Sequence, residues 1–158
     1  MKPFLLIGLL SSSSIYAQSV PVAGTEAAQP FKGANTILIH TTDSVGPALK
    51  KFARAMLLNG LEPDRIDAEI GYLNSKPKRV GSISPATFEY KAVATAEPSG
   101  TLLTITGIYI VPLSEARNMT ESMFWTKGNL LQAKQCFIGV ELAALAYPQG
   151  RIGYVLRP

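Results

Sequence analysis

Between Val45 and Met56 the large apolar side chains recur at intervals of four, three and four residues: Val45, Leu49, Phe52 and Met56. Only a helix brings that spacing onto one face. Lys50, Lys51 and Arg54 fall on the opposite side. Asp43 or Ser44 is placed to cap the start, and Pro47 is tolerated in the first turn. Asn59-Gly60 ends the helix, because glycine takes the left-handed position after a helix at little cost. On either side of this element the pattern becomes that of strands. Residues 35–41 (NTILIHT) form a β-branched run. Residues 87–96 and 101–111 flank the turn-forming Glu97-Pro-Ser-Gly100 and read as a hairpin. Residues 62–74 read as an extended segment, a kink near Gly71 and a strand through Tyr72 and Leu73, and residues 151–156 as a final strand. Residues 129–147 have helical periodicity, stopped by Pro148-Gln-Gly150. Residues 75–85 read as a polar loop, and residues 112–127 as irregular. The expected fold is α+β: an antiparallel sheet of four to five strands with two helices packed on one face.

The N-terminus carries an address. Lys2, the apolar run 4–10, four serines and the small residue Ala17 have the order of a secretory signal peptide. Cleavage is expected after Ala17, with Ala23 as second choice. The apolar run is far shorter than the ~20 residues that span a bilayer, so no membrane span is expected. The expected organisation is a signal peptide at 1–17, a flexible leader at 18–34 and one α+β domain at 35–158. The expected location is secreted, periplasmic or extracellular.

Loss of Lys2 with the signal lowers the formal charge from +4 to +3. A surplus that small, with its basic residues scattered, lacks the dense basic face that nucleic acid needs. One cysteine and one histidine exclude an intramolecular disulfide and any Cys/His zinc cluster within the chain. Cys136, on the second helix among apolar neighbours, reads as a small buried side chain rather than a reactive thiol, the alternative being an intermolecular bridge. No glycine-rich phosphate loop, Gly-x-Ser-x-Gly elbow or Ser-x-x-Lys precedes a suitable helix, and no cofactor is expected.

Few side chains offer chemistry. His40 closes the first strand in Ile39-His-Thr-Thr-Asp43. It reads as a strand-end residue near a capping aspartate, the sharper alternative being a general base oriented by Asp43. Asp64, Asp67 and Glu69 crowd one segment without the loop of a calcium site and read as a solvated edge, with Arg65 as a local ion partner. Lys76, Lys78 and Arg79 read as solvated loop cations, the alternative being contact with an acidic surface such as lipid headgroups.

The second helix has two apolar stripes, Leu131, Ile138, Leu142 and Leu145, and Leu130, Ala133, Phe137, Val140 and Ala144. A helix lying singly on a sheet needs one. The second either packs against the first helix or serves a partner or ligand. Leu130, Phe137, Val140 and Ala144, with Trp125 nearby, are therefore the candidate partner or ligand surface. No catalytic, cofactor-binding or metal-binding residue is assigned. The expected function is a non-enzymatic binding or scaffold module whose partner is a protein or a small apolar ligand. In the carrier version the ligand sits between the long helix and the sheet, with Tyr90, Tyr109 and Trp125 as walls.

The order strand, amphipathic helix ending in Asn-Gly, acidic kink, strand, hairpin, long helix resembles the small α+β domains of envelope proteins of the BamC (NlpB) lipoprotein type. The matching phrase runs Gly60-Leu-Glu-Pro-Asp-Arg-Ile-Asp-Ala-Glu-Ile-Gly-Tyr-Leu73. It also resembles secreted domains of TATA-binding-protein-like shape. The resemblance implies a non-catalytic module, and it supplies no catalytic residues. The lipid-accepting cysteine of those lipoproteins has no counterpart here.

Overall fold

A computed structural model describes residues 23–79, 86–114, 117–123, 139 and 141–157. Its frame is the hairpin. β5 (Thr87–Glu97) and β6 (Gly100–Ser114) pair in unbroken antiparallel register from Glu97↔Gly100 to Thr87↔Ile110. Gly100 has φ 144°, and a Cβ there would run into the carbonyl oxygen of Thr41, so the turn needs glycine both for conformation and for space.

These strands are long enough for each outer edge to carry two shorter neighbours. β1 (Thr36–Thr41) pairs with the first part of β6, and β7 (Arg117–Ser122) with the rest. Beside β5 lie β3 (Tyr72–Ser75) and the two-residue β4 (Lys78–Arg79). β2 (Pro63–Asp67) pairs outside β3, and β8 (Arg151–Val155) outside β1. The sheet is antiparallel, as expected, but has eight strands rather than four or five. Of the additional ones, β2 is the segment read only as extended, while β4 and β7 are polar pieces in the stretches read as a loop and as irregular. Their pairing is imposed by the unpaired backbone groups of β5 and β6 rather than by their own side chains.

α1 (Val45–Leu58) lies on one face, burying Ala48, Leu49, Phe52, Ala53, Ala55 and Met56. It ends in a hydrogen-bonded reversal in which Gly60 N–H donates to Leu57 O and Leu61 N–H to Met56 O, with Gly60 at φ 67°. The apolar contact that accompanies such an ending is present, since Leu61 and Met56 are both buried. The alternating strand residues Ile39, Leu73, Phe88, Tyr90, Ala92, Leu103 and Ile105 meet the helix. Leu142, Ala143 and Tyr147, from a second helical segment at 141–146, join the same core. Both helices therefore pack on one face.

The buried stripe of that second segment is Gly139, Leu142, Ala143 and Tyr147, while Ala144 and Leu145 are exposed. Leu145 was expected on the buried stripe with Leu142. The register is set instead by small residues: a Cβ on Gly139 would press on Tyr90 and Ile37, so the backbone sits close to the sheet.

Part of the segment read as a flexible leader, at Gly24 and Ala27, pairs with the end of the chain at and beyond β8. Gly24 N–H donates to Leu156 O, and Ala27 and Tyr154 exchange both backbone hydrogen bonds. β8 is otherwise an open edge, and edge strands are stable when something pairs with them.

Candidate functional site

Three places could carry function: the histidine, the space beneath the second helix, and the outer surface of the helical layer.

His40 stands on the helix-free side of β1. Its Nδ1 lies 3.3 Å from Glu97 Oε2 and its Nε2 3.3 Å from Glu26 Oε2. Arg151, its register partner on β8, reaches Glu26 Oε1 at 3.2 Å. A neutral imidazole has one N–H and can donate to only one of the two carboxylates, whereas the imidazolium satisfies both. The ring thus links Glu26, before β1, to Glu97, at the end of β5. Asp43, the orienting residue expected for a general base, is not its partner. Asp43 Oδ2 lies 2.6 Å from Lys51 Nζ, and Lys51 also sits 5.8 Å from the centre of the Tyr147 ring. Both ring nitrogens thus face carboxylates, and Arg151 Nη2 also stands 3.5 Å from Nε2.

A groove of about 360 Å³ runs between these clusters, lined by His40, Thr42, Asp43, Lys51, Tyr147 and Gln149. Its charged groups already face one another, which leaves no converging set for a ligand. The Tyr147 hydroxyl donates to Ala48 O at 2.8 Å, and burial pushes its phenol well above the ordinary tyrosine value.

Beneath Gly139 lies a cavity of about 30 Å³, lined by Ile37, Tyr90, Ile105, Met123, Gly139 and Tyr154. That holds a water or two, against the ~300 Å³ of a small-ligand pocket. Tyr90 and Tyr109, expected as walls of a ligand space, are buried core residues. Of the candidate surface, Leu130, Phe137, Val140 and Trp125 lie outside the described residues, as does Cys136, and Ala144 is exposed.

The acidic segment is a solvated edge. Arg65 Nη2 lies 2.8 Å from Asp67 Oδ2, and that hydrogen bond above all, with the Ile70 amide, holds the Asp67 carboxyl below its usual value. Among the described residues no three Asp, Glu, His or Cys side chains are grouped to hold a metal ion.

The third place is the outer face of α1, formed by Lys50, Lys51, Arg54, Leu57 and Leu58, all exposed. The helix contains no acidic residue. Lys51 is paired with Asp43, while Lys50 and Arg54 have no carboxylate partner among the described residues. Leu57 and Leu58 are 57% and 68% exposed, and Leu58 is the most exposed large apolar residue described. Lys78 Nζ donates to Asn59 O at 3.3 Å, which sets a further cation beside the leucines. The nearby Glu62 is neutralised by Lys76 at 2.8 Å, a hydrogen bond that lowers the carboxyl pKa and raises that of the amine. Sequence reading placed the three cations on the solvent side but passed over Leu57 and Leu58. The visible signal was two consecutive leucines beyond the last buried position, Met56.

No helix among the described residues is long and apolar enough to cross a membrane. In comparison with known proteins, the chain matches no family model and no curated protein.

Proposed function

We propose that this chain is an exported, non-enzymatic binding module that docks through the outer surface of its helical layer. The observation that carries this reading is the outer face of α1, where unpaired cations surround two leucines left in water. Exposing two adjacent leucines forgoes about 1.5–3 kcal/mol each relative to burial, a cost that a docked surface recovers. Ala144 and Leu145 add exposed apolar area on the second helical segment, within the stripe where a partner surface was expected from the sequence or next to it. The apolar carrier reading draws no support from the described cavity, which is about a tenth of the ~300 Å³ a small ligand needs.

Fractionation of the exporting cell tests this. The unmodified chain should partition with the envelope. An Arg54→Glu/Leu58→Asn variant with an unchanged melting temperature should move to the soluble fraction. Identical partitioning of the two would remove α1 as the docking face.

A further inference from the structure

We infer that the surface met by α1 is an anionic lipid bilayer, with Leu57 and Leu58 entering the headgroup layer and Lys50, Arg54 and Lys78 resting on its negative charge. The inference rests on the docking reading above and names the partner.

Three observations favour a bilayer over a protein. The first is shape. Leu57 and Leu58 are the last residues of α1, and the chain then reverses through Asn59 and Gly60 to the buried Leu61. The leucines therefore stand at the end of the helix, 57% and 68% exposed. Two adjacent leucines are a small apolar contact beside the ~800 Å² that each partner of a stable protein complex covers. A bilayer needs only a few apolar side chains at its surface once charge holds the protein there. The second is charge. Lys50, Arg54, Leu57 and Leu58 lie at i, i+4, i+7 and i+8 and share one helix face. Among the described residues Asp43 and Glu62 are already paired with Lys51 and Lys76, and Lys50 and Arg54 have no carboxylate partner, so the face meets an anionic surface with positive charge to spare. The third is the character of the groups. Long cationic side chains beside aliphatic ones suit an interface, where stems lie in the apolar boundary and charged heads stay among headgroups.

The test is sedimentation of the exported chain with vesicles of phosphatidylcholine alone, and with about one-third phosphatidylglycerol added. All comparisons are made within one preparation, so that the N-terminus is common to each. The expected result is at least about tenfold stronger binding to the anionic vesicles, weakened by high salt. Leu57→Ser/Leu58→Ser and Lys50→Glu/Arg54→Glu should each remove most of that binding at an unchanged melting temperature. Equal binding to both vesicle types overturns the inference. So does anionic binding that both double variants retain, since the contact would then lie elsewhere. If purified chain ignores both vesicles while the Arg54→Glu/Leu58→Asn variant still leaves the envelope fraction, the partner is a protein: the lipid inference fails and the docking reading stands.

Discussion

Tyr147 and Ala48 join the two helices: the phenol, buried at the end of the second helical segment, donates to the Ala48 carbonyl oxygen at 2.8 Å in the first full turn of α1. That carbonyl belongs to the helix backbone, so the contact fixes the relative placement of two elements that both rest on the sheet. Tyr147→Phe keeps the ring and loses the bond. It should cost about 0.5–1.5 kcal/mol at neutral pH, measured by urea unfolding.

The same residue gives a pH prediction. Burial raises the phenol pKa in the folded state above its unfolded value of about 10. The stabilisation is fully present below pH ~10 and is lost as pH rises from there through the folded value, because the unfolded chain releases the proton first. Stability should therefore fall in strong alkali, and Tyr147→Phe should flatten that fall. An equal alkaline loss in both proteins would assign it to another group.

His40→Ala should free the leader segment. The two contacts are partly exposed, and contacts of that kind are worth at most about 1 kcal/mol each, so global stability should drop by about 1 kcal/mol. The sharper readout is local. Amide exchange at Gly24 and Ala27, whose N–H groups pair with Leu156 and Tyr154, should accelerate while the amides of β5 and β6 stay protected.

Lys50 and Lys51 are neighbours with different roles. Lys51 holds the Asp43 oxygen, which is out of contact with water and has no other polar partner, whereas Lys50 meets solvent. Lys51→Ala should cost about 1–2 kcal/mol through the stranded carboxylate, and Lys50→Ala less than about 0.5 kcal/mol. Phe52→Ala, at a fully buried position between α1 and the sheet, should cost about 3–5 kcal/mol. Thermal melts of the three rank them directly.

Much of this architecture is legible in the sequence wherever a local period exists. α1 and its reversal at Asn59-Gly60 follow from four apolar residues and a glycine, and the hairpin from two β-branched runs around Pro-Ser-Gly. What escapes is nonlocal or small. β4 and β7 are polar pieces whose strand character comes from the edges they pair with. His40 finds Glu26 and Glu97, 14 and 57 residues away, where local reading offers Asp43. The face of the second helix turns on Gly139 and Ala143, which a search for large apolar residues passes over.

The docking claim is tested most directly by lysine reactivity. The chain is acetylated once in its native envelope surroundings and once purified, and each site is quantified by mass spectrometry. Docking through α1 predicts that Lys50 and Lys78 lose reactivity in the envelope, while Lys32 in the leader and Lys91 on the helix-free face of β5 keep theirs. Full reactivity of Lys50 in both settings, or protection of Lys91 in its place, would contradict it.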